Sequence, residues 1–120
     1  MYDAFRLGDA DATLAYFDPD VVIDASHRVD GRVGHGRKEL LAILAEWMDT
    51  WDDWREEVEG ILEAGNRVLV VTTQHGRGKG SGADWENRFG MLYEVQDGKI
   101  SRWTIYDDPA DALKAAGLAE

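Results

Sequence analysis

Two side chains in this sequence combine a residue type and a predicted position suited to acid–base chemistry: His75 and Asp107. A neutral histidine in an apolar pocket, with a carboxylate nearby, could remove a proton from carbon or activate water. Each residue also has a structural interpretation. His75 could be a hydrogen-bonded wall residue, and Asp107, or its neighbour Asp108, could cap a terminal helix. The sequence therefore offers a candidate catalytic pair and leaves both alternatives open.

The residues predicted to accompany this pair are mostly aromatic. Alternation along the strand that contains His75 puts side chains of equal phase on one face, which we predict to be the inner face of a curved sheet. An aromatic cavity with few polar groups is typical of small-molecule sites, although core packing is the commoner role of a buried tryptophan or tyrosine. The predicted binding residues are Trp47, Trp51, Thr73, Arg77, Met91, Tyr93 and Trp103.

One long helix and a series of strands must position these side chains. Apolar residues at 40, 44, 47, 51 and 54 follow helical spacing, which predicts a single amphipathic helix over residues 37–54. Short helical pieces are predicted before residue 18 and a terminal helix after residue 108. Because helices lead and strands follow, we predict one α+β domain over residues 1–120 with a mainly antiparallel sheet. The predicted strands are 21–26, 55–64, 67–75, 84–95 and 100–108.

The segment HGRGKGSGADW, residues 75–85, alternates glycine with basic residues. It fails as a phosphate-binding loop, because Thr73 stands where the first glycine is needed and Gly80 follows Lys79. A period of two instead indicates an extended strand with glycines on one face, which permits close backbone approach or bending. We therefore predict the far end of a long hairpin with its tip near Ser81–Gly82.

The composition excludes several classes of function. The net charge is −11, so nucleic acid and anionic membranes are not expected as partners. There is no cysteine, which excludes disulfides and thiolate chemistry. His27 and His35 lack the spacing of a zinc site, and we predict no metal. No transmembrane segment or signal peptide is visible, and we expect a cytoplasmic protein.

The order of several segments resembles the nuclear transport factor 2-like superfamily, and within it the SnoaL-like group, which includes polyketide cyclases. The segments are AFRLGDADA, YFDPDVVID, EAGNRVLVV, GRGKGSG, RFGMLYEVQDGKISRW and ALKAAGL. The resemblance implies a cone, in which a curved, mainly antiparallel sheet wraps around helices and leaves a pocket at the open end. This fold hosts enzymes, binding modules and assembly domains, so it does not by itself give a function.

The resemblance also allows a comparison with ketosteroid isomerase, which shares the cone and uses an aspartate base with a tyrosine and a protonated aspartate. The corresponding positions here are Ala25, Met1 and Met91, and none carries the required group. We expect instead a small apolar carbonyl compound as ligand, and cofactor-free cyclisation, isomerisation or hydration. The alternative is a binding or assembly domain without catalysis. In either case we expect a homodimer through the outer sheet face, with Val70 and Thr72 exposed on it.

Overall fold

The structure is a computed structural model that describes residues 15–27 and 31–117. The helical pieces predicted before residue 18 lie mostly outside this part of the chain, but Phe17, predicted to be helical, is the first residue of a strand, so the prediction is wrong there. The remaining residues form six strands and two helices in an α+β arrangement, as predicted. In chain order these are β1 Phe17–Asp24, β2 Val33–His35, α1 Gly36–Asp49, β3 Trp51–Ala64, β4 Arg67–Gly78, β5 Asp84–Gln96, β6 Lys99–Tyr106 and α2 Pro109–Ala115.

The six strands form one curved, mixed sheet in the order β2-β1-β6-β5-β4-β3. β1 pairs with β6 in parallel, and the other neighbouring strands of the described sheet are antiparallel. The three longest strands, β3, β4 and β5, are consecutive and joined by hairpins. This arrangement confirms the mainly antiparallel sheet.

The sheet has two faces that are covered by different helices. Helix α1 covers one, called the α1 face here, which corresponds to the predicted interior of the cone. Helix α2 covers part of the opposite, α2 face, where Leu69 and Leu92 pack against Ala112 and Ala116. The main core lies on the α1 face and consists of Phe17, Val21, Ile23, Ala25, Leu40, Val70, Phe89, Met91, Tyr93, Trp103 and Ile105.

The predicted facing of β4 is wrong. Val70 and Thr72, predicted to be outward, are 3% and 0% exposed, and Val70 belongs to the core under α1. Leu69, predicted to be inward, packs under α2. The segment VLVVTT is apolar or β-branched in both phases, so alternation does not show which phase faces α1. The presence of a second helix on the other face decides it, because α2 also requires apolar partners.

Helix α1 is shorter than predicted. It ends at Asp49 with Thr50 as its C-cap, and Trp51 already pairs with Gly78 in the sheet. The spacing of residues 51 and 54 fits a helix, but strand pairing across 11 register positions with β4 overrides that local pattern. Asp53 then adopts a left-handed φ of 53° at an irregularity in the β3–β4 register.

The glycine-rich hairpin is confirmed. β4 ends at Gly78, β5 begins at Asp84, and the turn includes Gly80 and Gly82 with φ of 86° and 66°. Gly76 permits a close approach, because a Cβ atom there would lie 3.2 Å from Cβ of Trp51 and 3.3 Å from its ring. The absence of a side chain at this position thus makes room for a tryptophan on the α1 face.

Candidate functional site

The α1 face carries two connected groups of aromatic side chains. In the first, Tyr93 and Trp103 stack with ring centroids 5.7 Å apart, and Phe17 lies 6.2 Å from Trp103. The indole N–H of Trp103 donates to the sulfur of Met91 at 3.4 Å. A thioether is a weak acceptor, so this buried donor is poorly satisfied. The predicted inward facing of Met91, Tyr93 and Trp103 is confirmed.

The second group, called the tryptophan cluster here, consists of Trp47, Trp51, Trp85 and Phe89. Trp51 and Trp85 stack with their centroids 4.2 Å apart and their planes at 19°. Trp47 meets the rings of Trp51, Trp85 and Phe89 edge-on at 5.4, 5.4 and 6.1 Å. Trp47 comes from α1, Trp51 from β3, and Trp85 and Phe89 from β5. Trp51 also packs against Gly76 of β4. The cluster therefore connects the end of α1 to three neighbouring strands of the sheet.

A single glutamine is the polar centre of this region. Gln74 is 5% exposed, and its side-chain oxygen accepts from the indole N–H groups of Trp47 at 2.8 Å and Trp54 at 3.1 Å. Its amide nitrogen donates to Glu56 Oε2 at 3.1 Å. The strand register places Glu56 opposite Gln74, so all these groups meet on the α1 face. Sequence reasoning missed Gln74 because it assigned the opposite phase of β4 to the interior.

The indole nitrogen of Trp51 differs from those of its neighbours. It is buried, and within the described residues no hydrogen-bond acceptor reaches it. A buried indole N–H normally has a partner, because leaving it without one costs about 1–3 kcal/mol. The tryptophan cluster therefore contains a donor that its own side chains do not satisfy.

His75 lies on the α2 face, and the prediction that it points into the cone is wrong. Its Nδ1 is 3.5 Å from Glu86 Oε1 and its Nε2 is 3.9 Å from Glu57 Oε1. These carboxylates come from the neighbouring strands β5 and β3. Asp107 follows β6, which is separated from the strand of His75 by β5 in the sheet order.

Thr73 and Arg77 share the misassigned face with His75, so their predicted inward facing is also wrong. The hydroxyl of Thr73 donates to Glu59 Oε2 at 2.6 Å, and the same oxygen accepts from Arg88 at 2.9 Å. These two hydrogen bonds lower the pKa of Glu59. Arg77 lies 3.5 Å from Asp53 and 3.7 Å from Asp84. Thr73 and Arg77, predicted to bind the ligand, thus contact carboxylates instead.

Asp107 follows the last residue of β6 and is half-buried. Its neighbour Asp108 is the N-cap of α2, and the Asp108 side chain accepts from the amide of Ala110 at 2.9 Å. The capping role that the sequence left open between the two aspartates therefore belongs to Asp108. Trp103 and Ile105 are buried in the core on the α1 face, and Asp107 is the next residue in that phase.

A further carboxylate is buried on β1. Asp24 is 8% exposed and accepts from Ser26 and from Arg102 at 2.7 Å. Burial alone would raise the pKa of Asp24, but the hydrogen bonds from the Ser26 hydroxyl and amide and from Arg102 outweigh it and hold the pKa below its ordinary value. In Tyr106, burial and the charge of Asp24 raise the pKa of the phenol. Trp103 faces α1, so its neighbour Arg102 on β6 faces the opposite side of the sheet. Asp24 forms its ion pair with Arg102 and therefore also points away from α1.

With this geometry known, the chain can be compared with other proteins. A model of the SnoaL-like domain matches residues 1–103. The chain belongs to the SnoaL-like family. A comparison with curated proteins gives no significant match.

Several solved structures resemble this SnoaL-like protein. An NTF2-like protein from Burkholderia thailandensis is 20% identical with a TM-score of 0.81, and the match covers 93% of this chain and 90% of that one. A candidate polyketide cyclase from Xanthomonas campestris pv. campestris is 28% identical with a TM-score of 0.70 over 96% and 90% of the two chains. TerC, crystallised with polyporic acid, is 21% identical with a TM-score of 0.75 over 97% and 92%. These likenesses confirm the predicted fold.

The part of this SnoaL-like chain that the structure describes contains no group of three or more histidine, aspartate or glutamate side chains arranged to hold a metal ion. His27, one of the histidines considered for such a site, instead stacks on Tyr106 with ring centroids 4.5 Å apart. The same residues include no helix that is both long and apolar enough to cross a membrane.

Proposed function

We propose that this SnoaL-like protein binds a small, largely apolar organic molecule on the α1 face, beside the tryptophan cluster and the Tyr93–Trp103 stack. The observation that carries the proposal is the side-chain chemistry of this face, where aromatic rings surround a few buried hydrogen-bonding groups. Such surfaces favour ligands with flat or apolar bodies and few polar atoms. The likeness to TerC, crystallised with polyporic acid, and to a candidate polyketide cyclase supports the same class of ligand.

We further propose that the chemistry, on an apolar carbonyl compound, is cofactor-free general acid–base catalysis leading to cyclisation, isomerisation or hydration. With His75 on the α2 face, we assign the proton-transferring group to Asp107. It is half-buried, and it continues the phase of Trp103 and Ile105 from the core. A carboxylate beside apolar side chains has the chemistry needed to move a proton to or from carbon.

Ligand titrations followed by tryptophan fluorescence test the binding proposal, because the emitting side chains lie on the proposed surface. Polyketide, terpenoid and steroid compounds form the panel. We expect a saturable change in emission with at least one class, and Trp103→Phe should weaken that binding while His75→Ala, on the α2 face, should not. The absence of a saturable change across all three classes would overturn the proposal.

The assignment of Asp107 needs a separate test. For a compound that binds and is turned over, Asp107→Asn should lower kcat by about a hundredfold or more with little change in affinity, because only proton transfer is removed. Asp108→Asn is the matched control, since it keeps a helix-capping side chain next to the same position. Equal turnover in the wild type and Asp107→Asn would exclude Asp107 as the acid–base group.

A second candidate function is assembly, and the described part of the α2 face favours it. Helix α2 packs over Leu69 and Leu92 and, through Ala112, over Gly90, whereas Val71 on β4 is half-buried and belongs to neither apolar cluster of the described residues. We propose a homodimer through this surface, with Val71 in place of the wrongly assigned Val70 and Thr72. Light scattering should give twice the chain mass of 13.4 kDa, and Val71→Glu should give the monomer mass. A wild-type monomer at micromolar concentration would overturn the dimer.

A further inference from the structure

The orientation of the Gln74 amide is fixed by its surroundings. An indole N–H only donates, and two such groups point at one atom of the Gln74 amide, so that atom must be the oxygen. The nitrogen must then face Glu56, which accepts one of its two N–H groups at 3.1 Å. The carboxamide is held from three sides, and its donors have a defined position beside the tryptophan cluster.

Two donors remain for a ligand. Among the described residues, no acceptor takes the second N–H of Gln74, and none takes the buried indole N–H of Trp51. Trp47 connects the two, because its indole N–H binds Gln74 while its ring lies 5.4 Å from that of Trp51. Both donors therefore lie in one aromatic region of the α1 face, and an acceptor that reached either would gain a hydrogen bond at no loss of an existing one.

We infer that the Gln74 amide and the Trp51 indole recognise a neutral carbonyl oxygen on the bound molecule. This inference rests on the proposed binding of an apolar molecule at the α1 face, and it specifies the polar group of that molecule. The donors select an acceptor, and the adjoining Glu56 carboxylate selects against an anion, since a ligand carboxylate would be placed beside a like charge. A ketone, aldehyde or quinone on an aromatic body fits both conditions.

A series of three naphthalenes of similar shape tests the inference by equilibrium dialysis. 2-Acetylnaphthalene carries a neutral carbonyl, 2-isopropylnaphthalene replaces it with a hydrocarbon of similar volume, and 2-naphthoate replaces it with an anion. We expect the ketone to bind about tenfold more tightly than the hydrocarbon, as one to two net hydrogen bonds imply, and more tightly than the naphthoate.

Variants attribute that preference to the named donors. Trp51→Phe keeps an aromatic ring and removes the N–H, so the ketone should lose most of its advantage over the hydrocarbon. Trp85→Phe is the matched control, because it makes the same substitution in the ring that stacks on Trp51. This variant should still bind the ketone more tightly than the hydrocarbon. Gln74→Met should reduce the preference independently, and if that variant does not fold, Trp51→Phe decides alone.

The outcomes separate this inference from the proposed function. Equal binding of ketone and hydrocarbon by the wild type would overturn the inference and leave binding of an apolar molecule intact. A preference for 2-naphthoate, or a preference that survives Trp51→Phe, would equally overturn it. Failure of every naphthalene to bind would overturn the proposed function and the inference together.

Discussion

Replacing Gln74 with leucine should destabilise the protein by an amount that the surrounding contacts set. The substitution removes the acceptor used by the indole N–H groups of Trp47 and Trp54 and the donor to Glu56. Each of these part-buried donors costs about 1–3 kcal/mol when it is deprived of this acceptor, whereas the carboxylate of Glu56 can be hydrated instead. Allowing about 1 kcal/mol for the apolar surface that leucine buries, we expect the loss of both acceptor interactions to lower the free energy of unfolding by about 1–5 kcal/mol.

Urea unfolding followed by tryptophan fluorescence measures this loss, and a double-mutant cycle attributes it. Trp54→Phe should cost about 1 kcal/mol in the wild type and close to nothing in Gln74→Leu, because the donor it removes has already lost its acceptor. Gln96→Leu, the same change at an exposed position at the end of β5, should stay within about 0.5 kcal/mol of the wild type. Additive losses in the cycle, or a Gln74→Leu loss no larger than that of Gln96→Leu, would refute the proposed network.

Three further perturbations have definite expected outcomes. Gly90→Ala should lower the free energy of unfolding by about 1–3 kcal/mol, because a Cβ atom at Gly90 would lie 2.4 Å from the Cβ atom of Ala112. Gly60→Ala is the control: a Cβ atom there would have no heavy atom within 4 Å, so the urea midpoint should be nearly unchanged. His75→Ala should change ligand affinity in dialysis by less than about twofold, since it lies on the α2 face; a tenfold loss would contradict that placement. Because the pKa of Asp24 is lower in the folded protein than its ordinary value of 3.8, ionised Asp24 stabilises the folded state. This contribution to the free energy of unfolding is complete above pH 3.8 and is lost as the pH falls through the folded-state pKa. Acid titrations of unfolding should therefore show a smaller loss for Asp24→Asn than for the wild type, and equal losses would exclude this contribution.

Several features of the protein follow from the sequence alone. The alternation of β5 and β6 correctly predicts that Met91, Tyr93 and Trp103 share a buried face, because Glu94, Arg102 and Thr104 mark the other phase as polar, although Leu92 in that phase is apolar. The glycines around Lys79 and the Asp97–Gly98 pair predict two of the three hairpin turns among β3, β4, β5 and β6, since only certain residues adopt a positive φ easily. The order of these segments is also sufficient to predict the family and the cone.

The face of β4 depends on tertiary structure. Its residues are suited to burial in both phases, and the choice follows from which helix each phase must pack against. The phase that faces α1 brings Gln74 to the indoles and His75 to the opposite surface, so this one choice reverses the expected catalytic residue. The end of α1 is decided in the same way, since Trp51 satisfies helical spacing in the sequence but gains sheet pairing and a stacked partner on β5 in the fold. Local patterns specify the elements of this protein, and only packing between elements specifies which side chains meet in its interior.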